Sequence, residues 1–195
     1  MKIYFSHDLD EPRADVVREY WLAQPGHEEA GFFDALTWGD ATLAGPATIK
    51  RLLANALADT SVTCVLIGPQ TAGRRWVRYE IIESIQRRNF LVGVRISGIP
   101  DKAQKTITAG KNPFEELAVA IADDGQSVKV LQYAHNAWIP YDDKPGWPLA
   151  NRPPAHRWGQ RIQLSSLYRI YDWVADNGRE NFEKWIGLTR SSGGG

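Results

Sequence analysis

One glutamate of a predicted helix has no basic residue at helical spacing. Glu80 lies in the segment 74–85, where apolar residues recur at the period of a helix. One stripe of that helix is apolar and consists of Val77, Ile81 and Ile85. The neighbouring stripe carries the glutamate and consists of Trp76, Glu80 and Ser84. Glu83 has Arg87 four positions further on, whereas Glu80 has no such partner. Glu80 is therefore a candidate for chemistry, and a surface glutamate or one paired through tertiary contacts is the alternative.

Other familiar chemical sites are missing from the sequence. No glycine-rich dinucleotide fingerprint follows the first predicted strand, and no phosphate-binding loop occurs anywhere. The histidines at positions 7, 27, 135 and 156 do not pair at metal-ligand spacing, so no metal site is predicted. Cys64 lies in the most apolar segment, which favours a small buried hydrophobe over a nucleophile. We expect no bound cofactor.

The composition excludes several classes of protein. The 195 residues are 43% hydrophobic and 24% charged, which is typical of a globular domain and not of a disordered chain. No apolar run approaches the roughly 20 residues that span a membrane. Lys+Arg and Asp+Glu number 23 each, so no excess positive charge favours nucleic acid as a partner. With one cysteine and a strand pattern that starts at the N-terminus in place of a signal peptide, we expect a cytoplasmic protein.

The first half of the chain alternates predicted strands with predicted helices. The strands lie at residues 2–6, 32–36, 62–67 and 90–96, and the helices at residues 10–23, 45–57 and 74–88. Residues 62–67 are almost entirely apolar, as in a central strand covered on both faces. This alternation predicts a parallel sheet with helices on both sides.

The second half is less regular. A short helix at Asn112-Pro113 and a fifth strand at residues 128–133 precede a proline-rich segment, residues 140–154, predicted to be a long ordered loop. Helical spacing predicts a helix at residues 164–175, ended by Asn177-Gly178, and a last helix that carries Trp185. We predict a single domain over residues 1–190, with a core at 1–98, an extension at 99–190 and a flexible tail at 191–195.

Three short motifs carry a resemblance to a known family. They are Tyr4-Phe5-Ser6-His7, the run from Asp59 to Gly68, and Trp76-Val77-Arg78-Tyr79-Glu80-Ile81 with its W-x-x-x-E spacing. Together they resemble Toll/interleukin-1 receptor (TIR) domains, and within them the bacterial branch that includes the ThsB component of Thoeris antiphage defence. The resemblance covers residues 2 to about 98 well and the remainder loosely.

The resemblance implies an α/β fold of three layers, flavodoxin-like, with five parallel strands, helices on both faces and a C-terminal helical extension. Sheets of this kind bind ligands at the carboxyl ends of the strands, beside the first strand. In TIR enzymes the glutamate of W-x-x-x-E cleaves the nicotinamide–ribose bond of NAD, so Glu80 is the implied catalytic residue. The implied substrate-binding residues are Phe5, Ser6, His7, Asp8, Trp38 and Trp76.

One carboxylate suffices for this reaction, because nicotinamide leaves a pyridinium carbon as a neutral molecule and needs no general acid. The resemblance implies a cyclic ADP-ribose-type product that activates a separate effector protein, with NAD as substrate and not as cofactor. It leaves open a phage-derived activator and homo-oligomer formation. A noncatalytic TIR scaffold and an enzyme like the nucleoside deoxyribosyltransferases are the alternative functions.

Some positions depart from the TIR pattern or have two interpretations. Basic residues that often follow the first strand are absent after Ser6, so the positive charge would come from Arg74, Arg75 or Arg78, unless these are solvated helix residues. Trp38, expected between the second strand and its helix, serves either core packing or ligand stacking. His7 is either a general base or a structural hydrogen-bond donor.

Overall fold

The computed structural model describes residues 2–9, 11–30 and 35–187. The helices of this part of the chain are α1 Arg13–Leu22, α2 Ala35–Ala44, α3 Pro46–Ala58, α4 Arg75–Arg87 and α5 Gly178–Trp185. Its strands are β1 Lys2–Ser6, β2 Glu28–Ala30, β3 Val62–Ile67, β4 Phe90–Arg95, β5 Leu117–Ile121, β6 Ser127–Ala134, β7 Ala137–Pro140, β8 Gly146–Pro148, β9 Arg161–Gln163 and β10 Ile170–Asp172.

Five of these strands form an all-parallel sheet in the order β10-β4-β3-β1-β2. The apolar strand β3 lies at its centre, and all six of its residues are buried. Because β1 pairs with β3 and β2 on either side, the chain changes direction across the sheet at β1. The predicted flavodoxin-like sheet is confirmed, and β1 and β3 have the predicted bounds.

Helices cover both faces of this sheet, which gives the predicted three layers. Alternate residues of β1 show the two faces, since successive side chains of a strand point to opposite sides. Phe5 packs with α1 and α5, and its ring centroid lies 6.2 Å from that of Phe182. Tyr4 packs with α2, α3 and α4. The candidate carboxylate is on this second side.

A second sheet follows β4 and is antiparallel, with the order β7-β6-β5-β9 and β8 paired with β6. One apolar cluster joins this sheet to the first. It contains Phe114, Leu117 and Val130, which pack with Ile67 of β3 and Ile81 of α4. The two sheets therefore share buried apolar surface. The predicted loop at 140–154 is wrong in part, because β8 and the end of β7 pair with β6 there.

The predicted second strand at residues 32–36 is misplaced. The structure places β2 at Glu28–Ala30, while Ala35 and Leu36 begin α2, and residues 32–34 lie outside the described part of the chain. The strand is polar, so apolar periodicity cannot reveal it. Arg18 of α1 donates from Nε to Glu29 Oε1 at 2.6 Å, and this ion pair supports a charged edge strand.

Two further predictions differ from the structure: the fifth strand belongs to another sheet, and residues 164–175 do not form an α-helix. Residues 128–133 do form a strand, but in the antiparallel sheet. The fifth parallel strand is β10, which lies inside the predicted helix. It forms there because the edge of β4 has backbone groups that need hydrogen-bond partners. One of them, Gly93 N, donates to Arg169 O at 3.0 Å. Asn177, predicted to end a helix, precedes α5 instead.

No helix in the described residues is long and apolar enough to cross a membrane. The predicted last helix with Trp185 is confirmed as α5. The predicted tail at 191–195 lies outside the described residues.

Phe114 is fully buried where the two sheets meet, so its truncation tests whether they share one core. We expect Phe114→Ala to lower the free energy of unfolding by about 3–5 kcal/mol with one cooperative transition retained, measured by urea denaturation. Leu43→Ala, at a side chain 89% exposed, is the control and should change it by less than about 0.5 kcal/mol. A second transition, or a loss below about 1 kcal/mol, would contradict the shared core.

Candidate active site

Glu80 lies on α4 and faces the carboxyl-terminal half of β1. Tyr4 Oη donates to Glu80 Oε1 at 2.8 Å, and Ser6 Oγ donates to Glu80 Oε2. Tyr4 and Ser6 are two residues apart on one strand, so both side chains point to the same face of the sheet. Each carboxylate oxygen of Glu80 therefore accepts a hydrogen bond from a hydroxyl of β1.

The pattern of buried residues on α4 agrees with the stripes predicted from sequence. Val77 and Ile81 are buried, and Ile85 packs partly against the same core. Glu80 is only 7% exposed, and Ser84 Oγ below it donates to the Glu80 carbonyl oxygen at 2.7 Å. The absence of a helical partner for Glu80 is thus explained by partners on β1.

A cavity of about 400 Å³ opens beside Glu80. Its lining comes from β1 and the residues that follow it, from α2 and from the start of α4: Tyr4, Phe5, His7, Asp8, Leu9, Trp38, Arg74, Arg75, Trp76, Val77 and Glu80. Six of the seven predicted site residues border this cavity. The seventh, Ser6, does not line it but donates a hydrogen bond to Glu80. The structure therefore brings the predicted residues together at one place.

Burial dominates the electrostatics of the carboxyl group. It raises the pKa of Glu80 to about 7, and the hydrogen bonds from Ser6 and Tyr4 oppose that rise because they stabilise the ionised form. Burial, together with the neighbouring Glu80, raises the pKa of Tyr4 well above its usual value. Tyr4 is thus a neutral donor, and Glu80 is poised between its two charge states near neutral pH.

His7 and Asp8 both have partners inside the protein. His7 Nδ1 donates to the carbonyl oxygen of Asp8 at 3.0 Å, and burial lowers the pKa of His7, so the ring is neutral near pH 7. This geometry matches the structural alternative stated for His7. Asp8 Oδ2 lies 2.9 Å from Arg74 Nε, so an ion pair holds Arg74 at the cavity wall, where its side chain is 42% exposed.

The other two arginines of this segment differ in position. Arg75 lines the cavity, and its guanidinium carbon lies 4.6 Å from the centroid of the Trp76 ring. Arg78 does not line this cavity. It forms an ion pair with Glu116 and donates from Nε to the Ala72 carbonyl oxygen at 2.8 Å, which is a structural role.

Trp38 has a different place in the fold from the one predicted. It was expected between the second strand and its helix, but it lies within α2, where it packs partly against the core and also borders the cavity. Phe5 borders the cavity as well, and it belongs to the apolar cluster on the α1 and α5 side of the sheet. The half-buried Trp76 packs edge-on against Tyr79, with ring centroids 6.1 Å apart.

The sequence interpretation missed two contributors to the site. Tyr4 was part of a quoted motif but was not assigned to the site, although the alternation of strand residues places it on the same face as Ser6. Asp143, which holds Arg75 through its carboxylate, is 68 residues away in the chain, and no local pattern indicates that contact.

Two comparisons with known proteins bear on this arrangement. A family model for the TIR-like domain of Thoeris protein ThsB matches residues 3–101, which hold Glu80 and its partners Tyr4 and Ser6. A Bacillus cereus (strain MSX-D12) protein, named as a candidate cyclic ADP-D-ribose synthase ThsB1, is 38% identical over 188 residues, which are 95% of this chain and 98% of that protein. The chain belongs to the ThsB TIR-like family. The predicted family is therefore confirmed.

Within the described residues of this ThsB-family protein, no group of three or more His, Cys, Asp or Glu side chains is arranged to hold a metal ion. The site offers the buried Glu80 carboxylate held by two hydroxyl donors, beside an Asp8 carboxylate paired with Arg74.

Burial of Glu80 makes stability depend on pH with a definite sign. Because the pKa of Glu80 is raised to about 7 from an ordinary 4.5, the unfolded chain loses this proton first, and stability falls as pH rises through that window. We expect Glu80→Gln, which keeps a hydrogen-bonding amide, to exceed the wild type in stability by up to about 3 kcal/mol at pH 8.

The measurement is urea denaturation of both proteins at pH 5 and pH 8. The advantage of Glu80→Gln should be present at pH 8 and largely lost at pH 5. An equal difference at the two pH values would show that Glu80 is not a buried carboxyl group with a raised pKa.

Proposed function

We propose that this ThsB-family protein cleaves the nicotinamide–ribose bond of NAD and closes the remainder into a cyclic ADP-ribose-type signal for a separate antiphage effector. The observation that carries the proposal is the buried Glu80, held by Tyr4 and Ser6 beside a cavity of about 400 Å³. The relative named as a cyclic ADP-D-ribose synthase supports the same reaction.

In this proposal Glu80 acts on the sugar carbon. The bond between the ribose carbon and the nicotinamide ring nitrogen breaks, and its electron pair goes to the ring nitrogen, which becomes neutral. Positive charge develops on the sugar, and ionised Glu80 stabilises it or forms a transient ester. An adenine nitrogen or a ribose hydroxyl of the same molecule then attacks the sugar carbon and releases Glu80 from any ester. A hydroxyl acceptor gives its proton to the freed Glu80 carboxylate, which passes it to water. The acceptor atom determines the linkage of the product.

The hydroxyl groups of Tyr4 and Ser6 fix the carboxylate in one orientation. Since each oxygen of Glu80 is already hydrogen-bonded, the side chain need not reorganise when charge develops on the sugar. Trp76 and Trp38 supply aromatic surface at the wall of the cavity, against which the planar rings of the substrate would pack.

The alternative of a noncatalytic scaffold predicts an exposed, paired Glu80 with no cavity beside Ser6 and Trp76. Glu80 is instead buried and borders a cavity. The alternative of a nucleoside deoxyribosyltransferase predicts turnover of deoxynucleosides with NAD left intact, and no feature of the site favours it. A phage-derived activator and homo-oligomer formation stay predictions.

Replacing Glu80 tests the catalytic assignment. We expect Glu80→Gln to lower the rate of nicotinamide release from NAD by about 10²–10³-fold or more, because the variant lacks the charge that stabilises the transition state. The measurement is nicotinamide release by chromatography, with the protein activated where needed.

Glu19→Gln is the matched control, since Glu19 lies on the exposed face of α1 and does not line the cavity. It should retain the wild-type rate. Undiminished nicotinamide release by Glu80→Gln would refute the role of Glu80, and inability of the wild type to release nicotinamide in any activated state would refute the proposed reaction.

The pH dependence of the reaction follows from the charge state of Glu80. Because the ionised form is the active one and the pKa of Glu80 is raised to about 7, kcat/KM should rise about tenfold between pH 6 and pH 8. Ser6→Ala removes a donor that favours the ionised form, so the midpoint of the rise should move to higher pH.

The readout is the pH profile of kcat/KM for both proteins. A flat wild-type profile, or a midpoint in Ser6→Ala at or below that of the wild type, would contradict the assigned role of the Ser6 hydroxyl.

A further inference from the structure

Residues 141–144, between β7 and β8, reach from the antiparallel sheet to the start of α4. Tyr141 Oη donates to the Arg75 carbonyl oxygen at 3.2 Å, and Lys144 forms an ion pair with Glu83, about two turns further along the helix. Lys50 of α3 donates from Nζ to the Asp143 carbonyl oxygen at 2.6 Å. This segment, which lies outside the region matched by the family model, is therefore tied to α3 and α4 beside the cavity.

Asp143 makes a two-point contact with Arg75. The Asp143 carboxylate accepts from Arg75 Nε at 2.7 Å and from Arg75 Nη2 at 2.6 Å, which is the two-point geometry that fixes a guanidinium group. The same guanidinium lies over the Trp76 ring. Arg75 Nη1 has no hydrogen-bond partner among the described residues, so it keeps free donors while the group is held in place.

Asp143 Oδ1 also lies 3.1 Å from Lys50 Nζ, so Arg75, Lys50 and Asp143 together carry one net positive charge, and the exposed Asp142 lies beside them. At the cavity wall, Arg74 forms an ion pair with Asp8. Since neutral His7 adds no charge, Arg75 supplies positive potential for an anionic ligand at this cavity.

We propose that Asp143 positions Arg75 to bind the diphosphate of the dinucleotide substrate, an assignment that rests on the proposed NAD cleavage. Guanidinium groups bind phosphate oxygens through paired N–H donors. The Arg75 side chain is 53% exposed and would be ordered only at an entropic cost without Asp143, whose side chain is 10% exposed. The extension thus supplies a positioning residue to a site built by the TIR core.

The test compares substrates with and without phosphate. We expect Arg75→Ala to raise KM for NAD about tenfold with a smaller change in kcat, and to leave the cleavage of nicotinamide riboside, which has no phosphate, near the wild-type rate. Asp143→Asn should also raise KM for NAD, by a smaller factor than Arg75→Ala does. An equal loss on both substrates would show a merely structural role and overturn the proposal, as would an unchanged KM for NAD.

Arg87→Ala is the matched control on the same helix. Arg87 pairs with Glu83 and does not line the cavity, so its loss removes an ion pair of α4 without removing a cavity donor. KM for NAD should stay at the wild-type value in this variant. A rise equal to that of Arg75→Ala would overturn the specific role of Arg75.

A binding measurement separates failure of this inference from failure of the proposed function. ADP-ribose carries the diphosphate, and its binding can be measured without any reaction. Calorimetry compares its affinity for the Glu80→Gln variant with its affinity for the Glu80→Gln, Arg75→Ala double variant. Binding weakened about tenfold by Arg75→Ala supports the diphosphate contact even where no nicotinamide is released. Binding that is absent, or unaffected by Arg75→Ala, overturns it.

Discussion

The contact between a buried carboxylate and two hydroxyl groups of the first strand is the constraint on which the site depends. A carboxylate with little access to water is costly, and hydrogen bonds to the charged form offset part of that cost. Tyr4 and Ser6 provide those bonds to Glu80. The balance leaves the pKa of Glu80 at about 7, which makes a charged group available in a partly apolar site.

The sheet order explains why this contact exists where a ligand can reach it. β1 lies between β2 and β3, and the chain crosses to opposite edges of the sheet on either side of it. Such a crossing leaves a crevice at the carboxyl ends of the strands. α4 is the next α-helix after β3, so its first turns border that crevice and present Trp76 and Glu80 to it. Fold and site are consequences of the same connectivity.

Sequence periodicity predicted what local patterning determines. The bounds of β1 and β3, the stripes of α4 and the missing helical partner of Glu80 can all be inferred from neighbouring residues. β2 is a charged edge strand stabilised by an ion pair from α1, and β10 is three residues long and exists because β4 has an open edge. Neither has a pattern of its own, since tertiary contacts select these conformations.

The same distinction applies to the site residues. Residues inside a recognisable motif, such as Ser6, Trp76 and Glu80, can be assigned through the family resemblance. Asp143 was not, because its contact with Arg75 joins distant parts of the chain and depends on how the antiparallel sheet packs against α4.

The most direct measurement is mass spectrometry of the product that the protein makes from NAD, with protein from cells exposed to an infecting phage. The account predicts loss of nicotinamide and a remaining product with the mass of ADP-ribose less one water, as cyclisation requires. Unchanged NAD, or ADP-ribose as the sole product, would contradict it.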